Sequence, residues 1–490
     1  MRVPSVALAV LLVAGCLSVG DKRPDYDGAE EQVNAAAEPI LVQDHGDEAG
    51  HFDAAQHAGA FNLELAGYHN GMPGAGQDPN DITPGGAYNE LVVTDDYVYL
   101  SRSSANGTFG GFTILSHKDL NDPAKLTYVG EFDGQHGVDL EVNADETLAF
   151  LATQRNTPQQ MLGAVQATQD PQSAAARGIY VVDIADKKAP TLASFLPLPA
   201  NGPHTMTYYQ ADDGGEYLIV CTYDLITDPA TGALVGVVPV TQRVLVYEIM
   251  MAPSQLPLPV PPTLVPVAQF QITDSPPDGK MYFPHDTRVQ RHPTHDGGST
   301  TLLYVAYWDK GVRVLDFNDP ASMTEIGFFT EFGPTALNNI HLTQPFEDEI
   351  DGFHVTVAQP EIQAAPDETG QVTFLDTSDP TNPTQLGYWT LPNGTSGRLG
   401  INGFDFSPHN FDLWGGKMAI GHFHAGIWVV DVSDEENLRD PKTVGYYMPS
   451  KPRDNAPAMQ PAVWGVFEHD GLLWASDEST GVYVLRYTGP

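Results

Sequence analysis

One pattern returns along this chain and limits what it can fold into: Gly, a short apolar strand, Asp, a turn rich in Asp, Asn and Pro, then a second strand. GIYVVDIADKKAPTLASFLPL begins at Gly178, GVRVLDFNDPASMTEIGFF at Gly311, QVTFLDTSDPTNPTQLGYW at Gln371 and GIWVVDVSDEENLRDPKTVGYY at Gly426. A looser copy, GFTILSHKDLNDPAKLTYVGEF, starts at Gly111. RVLVYEI opens another at Arg243 with a Pro-rich insertion, and GVYVLRYTGP closes the chain. Asp and Asn side chains bond nearby backbone amides and Pro presets the turn, so each copy reads as a hairpin. Two further strands precede it, as in HGVDLEVNADETLAFLATQ and PHNFDLWGGKMAIGHFH. Four antiparallel strands per unit, repeated, make a β-propeller blade.

Counting hairpins gives an all-β, seven-bladed propeller over residues 59–490. The seventh copy ends after its third strand, whereas FNLELAGYH (61–69) looks like an isolated fourth strand, comparable to TQLGYW and KTVGYY. An N-terminal strand completing the last blade would seal the ring and leave no open sheet edge. A repeat array also suits 490 residues, more than one compact core needs.

The unit wording, VVDxSDPxNPxxLGxY, resembles the LVIVD-repeat family of secreted β-propellers. Its best copies are those at Gly311, Gln371 and Gly426. The resemblance implies the fold and says almost nothing about activity. This chain differs from the pattern in long insertions within blades 2, 3 and 4, and in its histidines.

The first 15 residues, with Arg2 and an apolar run from Val6 to Ala14, read as a secretory signal segment too short to span a membrane. Val13-Ala14-Gly15-Cys16 resembles a lipobox, which implies cleavage before Cys16 and lipid on its thiol; a plain signal peptide is the other reading. Residues 16–58 then form an acidic, disordered tether in which His45, His51 and His57 are solvated. The only other cysteine, Cys221, lies in YLIVCTY and reads as an inert buried thiol. The expected location is extracytoplasmic, held to a membrane by the lipid. A formal charge of −40 excludes nucleic acid as a partner and suits a soluble monomer in salty surroundings.

Five of the 16 histidines fall at one place in the repeat, the start of the innermost strand: His136, His204, His285, His341 and His409. His409 stands 17 residues before Gly426 (426 − 409), and the same offset before Gly481 gives Trp464; blade 1 offers Tyr88. Innermost strands line a propeller's channel, and the second strand of each blade ends on the same rim. His422 and His424 end it in blade 6, where spacing i, i+2 on a strand puts both on one face. Trp308, Asp309, Gln154, Asp477 and Glu478 end it elsewhere, and the insertions at 155–177 and 359–369 rise over that rim.

Three readings compete for this ring. Each His could bond its own blade, as the recurrent His of WD-type repeats does. Histidine and aromatic side chains, with Tyr88, Trp308, Asp309, Trp464 and Asp477, could form a recognition surface. Or His136, His204, His285, His341, His409, His422 and His424 could supply ligands to Zn²⁺, Cu²⁺ or Fe²⁺, with Asp286, Glu468 or Asp477 moving protons. The channel histidines are weakly similar to those of selenium-binding and methanethiol-oxidase propellers, which implies copper. The paired-cysteine motif of those proteins is missing here.

No phosphate loop, GxSxG elbow or helical HExxH is present. Asn106-Gly-Thr and Asn393-Gly-Thr are glycosylation sequons, and the Asp-rich turns are better explained as Asx turns than as Ca²⁺ sites. The expectation is a lipid-anchored propeller that binds a small molecule or protein at a histidine-lined mouth. The alternative is an oxidative or hydrolytic enzyme using a His-held metal there.

Overall fold

The computed structural model describes residues 59–489 apart from 75–86, 104–109, 119–124, 155–169, 174–175, 199–201, 224, 228–233, 238–241, 252–260, 278–279, 295–296, 333–338, 362–369, 392–397, 400–403, 406 and 449–461. The signal segment, the tether with Cys16, both sequons and most of the two rim insertions lie outside the described residues. No described helix is long and apolar enough to cross a membrane.

Seven antiparallel sheets follow one another around the ring, with strands in chain order from the inside outward except where N-terminal strands form the outer edges of the last two. Their innermost strands are Ala87–Val93, Gly137–Val142, Pro203–Gln210, Asp286–Pro293, Ile340–Pro345, Phe411–Trp414 and Val463–His469, numbered here as blades 1 to 7. Blade 3 carries an extra hairpin, Leu225–Thr227 with Leu234–Val237. The apolar core is divided among the junctions between blades. One cluster, for example, joins Phe374 and Trp389 of blade 5 to Met418, Trp428 and Tyr446 of blade 6. Cys221 is fully buried, and burial pushes its thiol well above the usual range.

The repeat motif does local work at each position. Its first Asp closes an Asx turn: the Oδ1 atoms of Asp183, Asp316, Asp376 and Asp431 accept from the amides of Ala185, Asn318, Ser378 and Ser433 at 2.9–3.0 Å. In blade 6 the second Asp instead caps a helix. Asp434 accepts from Asn437 N at 2.8 Å and opens Glu435–Arg439, a turn of helix with acidic residues at its start and Arg439 at its end. The Gly of the outer-strand LGxY packs against the next blade. A Cβ on Gly327 or Gly387 would lie 2.1 or 2.3 Å from the carbonyl oxygen of Pro380 or Leu438, so any larger residue would push neighbouring blades apart.

The ring is sealed as the sequence suggests. Leu63–His69 pairs with the last strand, Gly481–Tyr487, from Leu63 opposite Tyr487 to His69 opposite Val482. The sequence did not reveal a second staple. Gly59–Phe61 adds a fifth strand to blade 6 beside Lys442–Met448, and Asn62, at φ 54°, turns the chain between the two blades.

A candidate metal centre at the mouth of the channel

The inner strands begin irregularly, and this irregularity builds the site. Pairing with the second strand slips between Tyr88 and Leu91, Gly137 and Asp139, Pro203 and Met206, Ile340 and Leu342, and Val463 and Gly465. Residues skipped by a ladder are bulged, and bulges re-aim side chains. Glu90, Val138, His204, Thr205, His341 and Trp464 lie in these gaps, and all six line one central cavity of 370 Å³. His285 and His409 reach it from just before the strands of blades 4 and 6.

Four of the sequence-selected histidines therefore meet along an arc of blades 3 to 6. Successive ring centroids are 4.3 Å (His204–His285), 4.0 Å (His285–His341) and 4.3 Å (His341–His409) apart. The Nε2 atoms of His204 and His285 face each other at 2.8 Å. Two of the rings are fixed from behind. His204 Nδ1 lies 3.0 Å from Gln154 Oε1 and His409 Nδ1 lies 2.7 Å from the Trp464 carbonyl, so in both the proton belongs on Nδ1 and Nε2 keeps its lone pair. Nδ1 of His285 and of His341 are buried without a close, well-aligned hydrogen bond; the His341 backbone lies near the His285 ring and the Gln359 side chain near the His341 ring. Burial holds His204 and His409 down to about 3 and His285 and His341 well below the ordinary value, and the rings depress one another further. All four are neutral imidazoles at physiological pH, the form that ligates a metal.

Glu361 joins them. It ends the second strand of blade 5, and one ligand atom each from His285, His341 and Glu361 lie within 4.8 Å of one another. An ion with donors about 2.1 Å away could draw these together with small side-chain rotations. Glu361 escaped the sequence reading because it sits at the edge of an insertion with no pattern to mark it.

Other sequence-selected residues are placed elsewhere. Tyr88 is fully buried in the junction of blades 7 and 1, where its hydroxyl donates to the Asn70 carbonyl at 2.7 Å; Glu90, two residues on, takes the channel position. His136 is buried but does not line the cavity, and Val138 occupies its place. His422 and His424 do not share a face, because the strand has already ended. His422 donates its amide to the Gly426 carbonyl at 2.8 Å, as Tyr307 does to Gly311 in blade 4. Between them Phe423 sits at φ 38°, matching Trp308 at φ 35°. These two left-handed aromatics, not their neighbours, back the histidines: Phe423 packs on His409 at 4.7 Å and Trp308 on His285 at 5.5 Å. His422 is fully buried against Trp389 instead, and His424 is half-buried.

Asp309 is tied to Lys280 Nζ and Met281 N at 2.9 and 2.7 Å. Asp477 caps its own turn through the amides of Ser479 and Thr480 and accepts from Ala462 N across the ladder. Both are structural anchors. Trp464 does line the cavity, with its ring 4.3 Å from His409, as do Asp286 and Glu468.

The family model for the LVIVD repeat matches residues 301–331, the second to fourth strands of blade 4. The match covers one copy of the repeat. No curated protein matches it. Among solved structures it is similar to the WD40 β-propeller domain of Doa1 (10% identity, TM-score 0.45, 87% of this chain and 96% of that one). A protein from Lactobacillus plantarum (12%, 0.47, 80% and 99%) and virginiamycin B lyase from Staphylococcus aureus (11%, 0.42, 87% and 99%) are comparably similar. These likenesses concern shape and carry nothing about function.

Proposed function

We propose that this LVIVD-repeat propeller is a lipid-anchored, extracytoplasmic protein that holds a borderline divalent metal ion (Zn²⁺, Cu²⁺ or Fe²⁺) at the mouth of its channel and binds a small ligand there. The observation that carries this reading is the convergence of His285, His341 and Glu361 beside His204 and His409, all four rings neutral. Neutral imidazole with one carboxylate suits these ions, and the set has no thiolate to select a softer one. Gln154 and the Trp464 carbonyl would act as outer partners that fix ring orientation. The poorly paired Nδ1 atoms of His285 and His341 would gain a well-aligned partner on coordination or on binding a ligand.

An enzyme using that ion, oxidative or hydrolytic, is the second reading. It draws on Asp286 and Glu468, carboxylates on the same cavity wall that could move protons.

Elemental analysis of protein purified without a histidine tag tests the centre. About one transition-metal ion per chain, lost in His285→Ala with His341→Ala, supports it; metal-free protein that also fails to take up added Co²⁺ overturns it. The anchor is tested separately: Cys16→Ser should move the protein from the membrane fraction to the soluble one.

A further inference from the structure

We infer that the floor of the same cavity is a binding subsite for a small organic cation bearing N–H donors, a primary amine or diamine. This goes beyond the metal reading and does not require it: Glu141, Arg288 and Asp412 lie three strand residues, about 10 Å, below the mouth positions Val138, His285 and His409, and Glu90 reaches toward them from the blade-1 mouth position. The cavity as a whole is lined by Glu90, Asp139, Glu141, Asp286 and Asp412 against a single cation, Arg288.

Several of these groups are already committed. Both oxygens of Asp139 accept amides, from Leu140 and Met206, and both of Asp412 do, from Leu413 and Gln344 on one and Glu468 on the other. Asp286 holds Thr287 N and Arg288 Nη1. The bonds from Met206, Gln344 and Glu468 cross from blade to blade and fasten the inner ring, and Arg288 pairs with Asp286 within blade 4. Glu90 takes hydrogen bonds from Asn410 and Trp464, which leaves Glu141 with its acceptors facing the cavity.

A separate observation points to a ligand that donates. Asn410 lines the cavity and is only 6% exposed. Its Nδ2 gives a 2.6 Å hydrogen bond to Glu90 Oε2, which fixes the amide's orientation, and its Oδ1 is buried with no partner. A buried acceptor with no donor asks for an N–H or O–H from something absent from the chain. An amine supplies up to three donors and the positive charge that the carboxylates lack.

The walls argue for an organic cation over a bare ion. Leu91, Val92, Val138, Leu140, Met206 and Phe467 line the same space, and 370 Å³ is room for about a dozen water-sized groups. A metal ion would use one of them, whereas an alkyl chain would fill the apolar part.

The resting state is consistent with this. Burial, and then the neighbouring carboxylates, push Asp139 up to about 7 and Glu90 and Glu141 well above the usual range. An arriving cation opposes these shifts and should draw protons off the carboxylates.

Isothermal titration of the full chain with a matched four-carbon set tests the subsite: 1,4-diaminobutane, 1,4-butanediol and succinate. Saturable binding of the diamine is expected, at least tenfold tighter than either of the others. The measured heat should differ between two buffers of unlike ionisation enthalpy as protons leave, and affinity should rise from pH 5.5 to 8. Glu90→Gln with Glu141→Gln should weaken the diamine at least tenfold while Co²⁺ uptake at the histidines is retained. Should the double variant not fold, Glu141→Gln alone reads the same effect. Diamine binding no tighter than the diol, with Co²⁺ uptake intact, overturns the subsite and leaves the metal centre standing. Stoichiometric displacement of the diamine by Ca²⁺ also overturns it, in favour of an inorganic cation. Loss of Co²⁺ uptake with diamine binding preserved would instead count against the metal centre alone.

Discussion

The mouth of the channel has two unlike arcs built on one backbone plan. In blades 3 to 6 the position at the start of the inner strand is His204, His285, His341 and His409; in blades 7, 1 and 2 it is Trp464, Glu90 and Val138. Blade 6 meets blade 7 where His409 packs on Trp464, so the arcs touch, yet one is a run of neutral nitrogen donors and the other holds an aromatic ring, a carboxylate and an aliphatic. Seven-fold repetition accounts for the shared position and for the bulges that expose it. It does not account for four adjacent histidines, because a structural His bonding its own blade would serve any blade equally well. The difference teaches that the fold supplies a slot and that only one side of the ring has been fitted for ligation.

Four experiments would break or sharpen this contrast. The largest effect is expected from His285→Ala with His341→Ala, which removes two central donors. Metal affinity, measured by competition with a chromophoric chelator, should fall at least about a hundredfold, since disturbing even an outer partner costs 10–100-fold. Val138→Ala, on the other arc, should leave it within about threefold. Next, Gln154→Ala deletes the oxygen that holds His204 Nδ1–H, and metal affinity should drop about tenfold or more with the fold unchanged by circular dichroism.

A third effect lies in stability. His422→Ala should lower unfolding free energy by about 1–3 kcal/mol in a denaturant titration, as expected for a fully buried ring packed on Trp389, while metal affinity stays within about threefold. Loss of metal in that variant would return His422 to the site.

The smallest effect concerns pH. Exposed histidines take up protons as pH falls through about 6.5 and then lose their metal. Here burial lowers the pKa of the donors, His204 and His409 to about 3 and His285 and His341 well below the ordinary value, so protons do not compete at pH 5.5. Co²⁺ occupancy at fixed free ion should therefore agree within about twofold between pH 5.5 and 7.5. The same shift works the other way on stability. Unfolded histidines bind protons below about 6.5 and the folded ones do not, so these four groups favour unfolding progressively as pH falls through that value.

Blade number, ring closure by 61–69 and the Asx turns were legible in the sequence because they recur, and recurrence converts weak local signals into a count. His204, His285, His341 and His409 were legible for the same reason. Tyr88 and His136 were misplaced because a bulge adds a residue that no spacing rule records, and two positions are enough to trade a channel residue for a core residue. The pair His422 and His424 failed through one torsion. Phe423 adopts a left-handed φ that an aromatic rarely takes, which ends the i, i+2 alternation where the sequence shows an unbroken run. The floor carboxylates were invisible as a group because each reads alone as an ordinary polar position on a strand. Only closure of the ring brings Glu90, Glu141 and Asp286 to one cavity.

Anomalous diffraction at the absorption edge of the bound metal, from crystals of tag-free protein, tests the centre most directly. A single strong peak within bonding distance of His285 and His341 side chains, with Glu361 beside it, is the result expected from the geometry. A peak at His422 and His424, or a clear map with ordered histidines and no peak after soaking in Co²⁺, would contradict it.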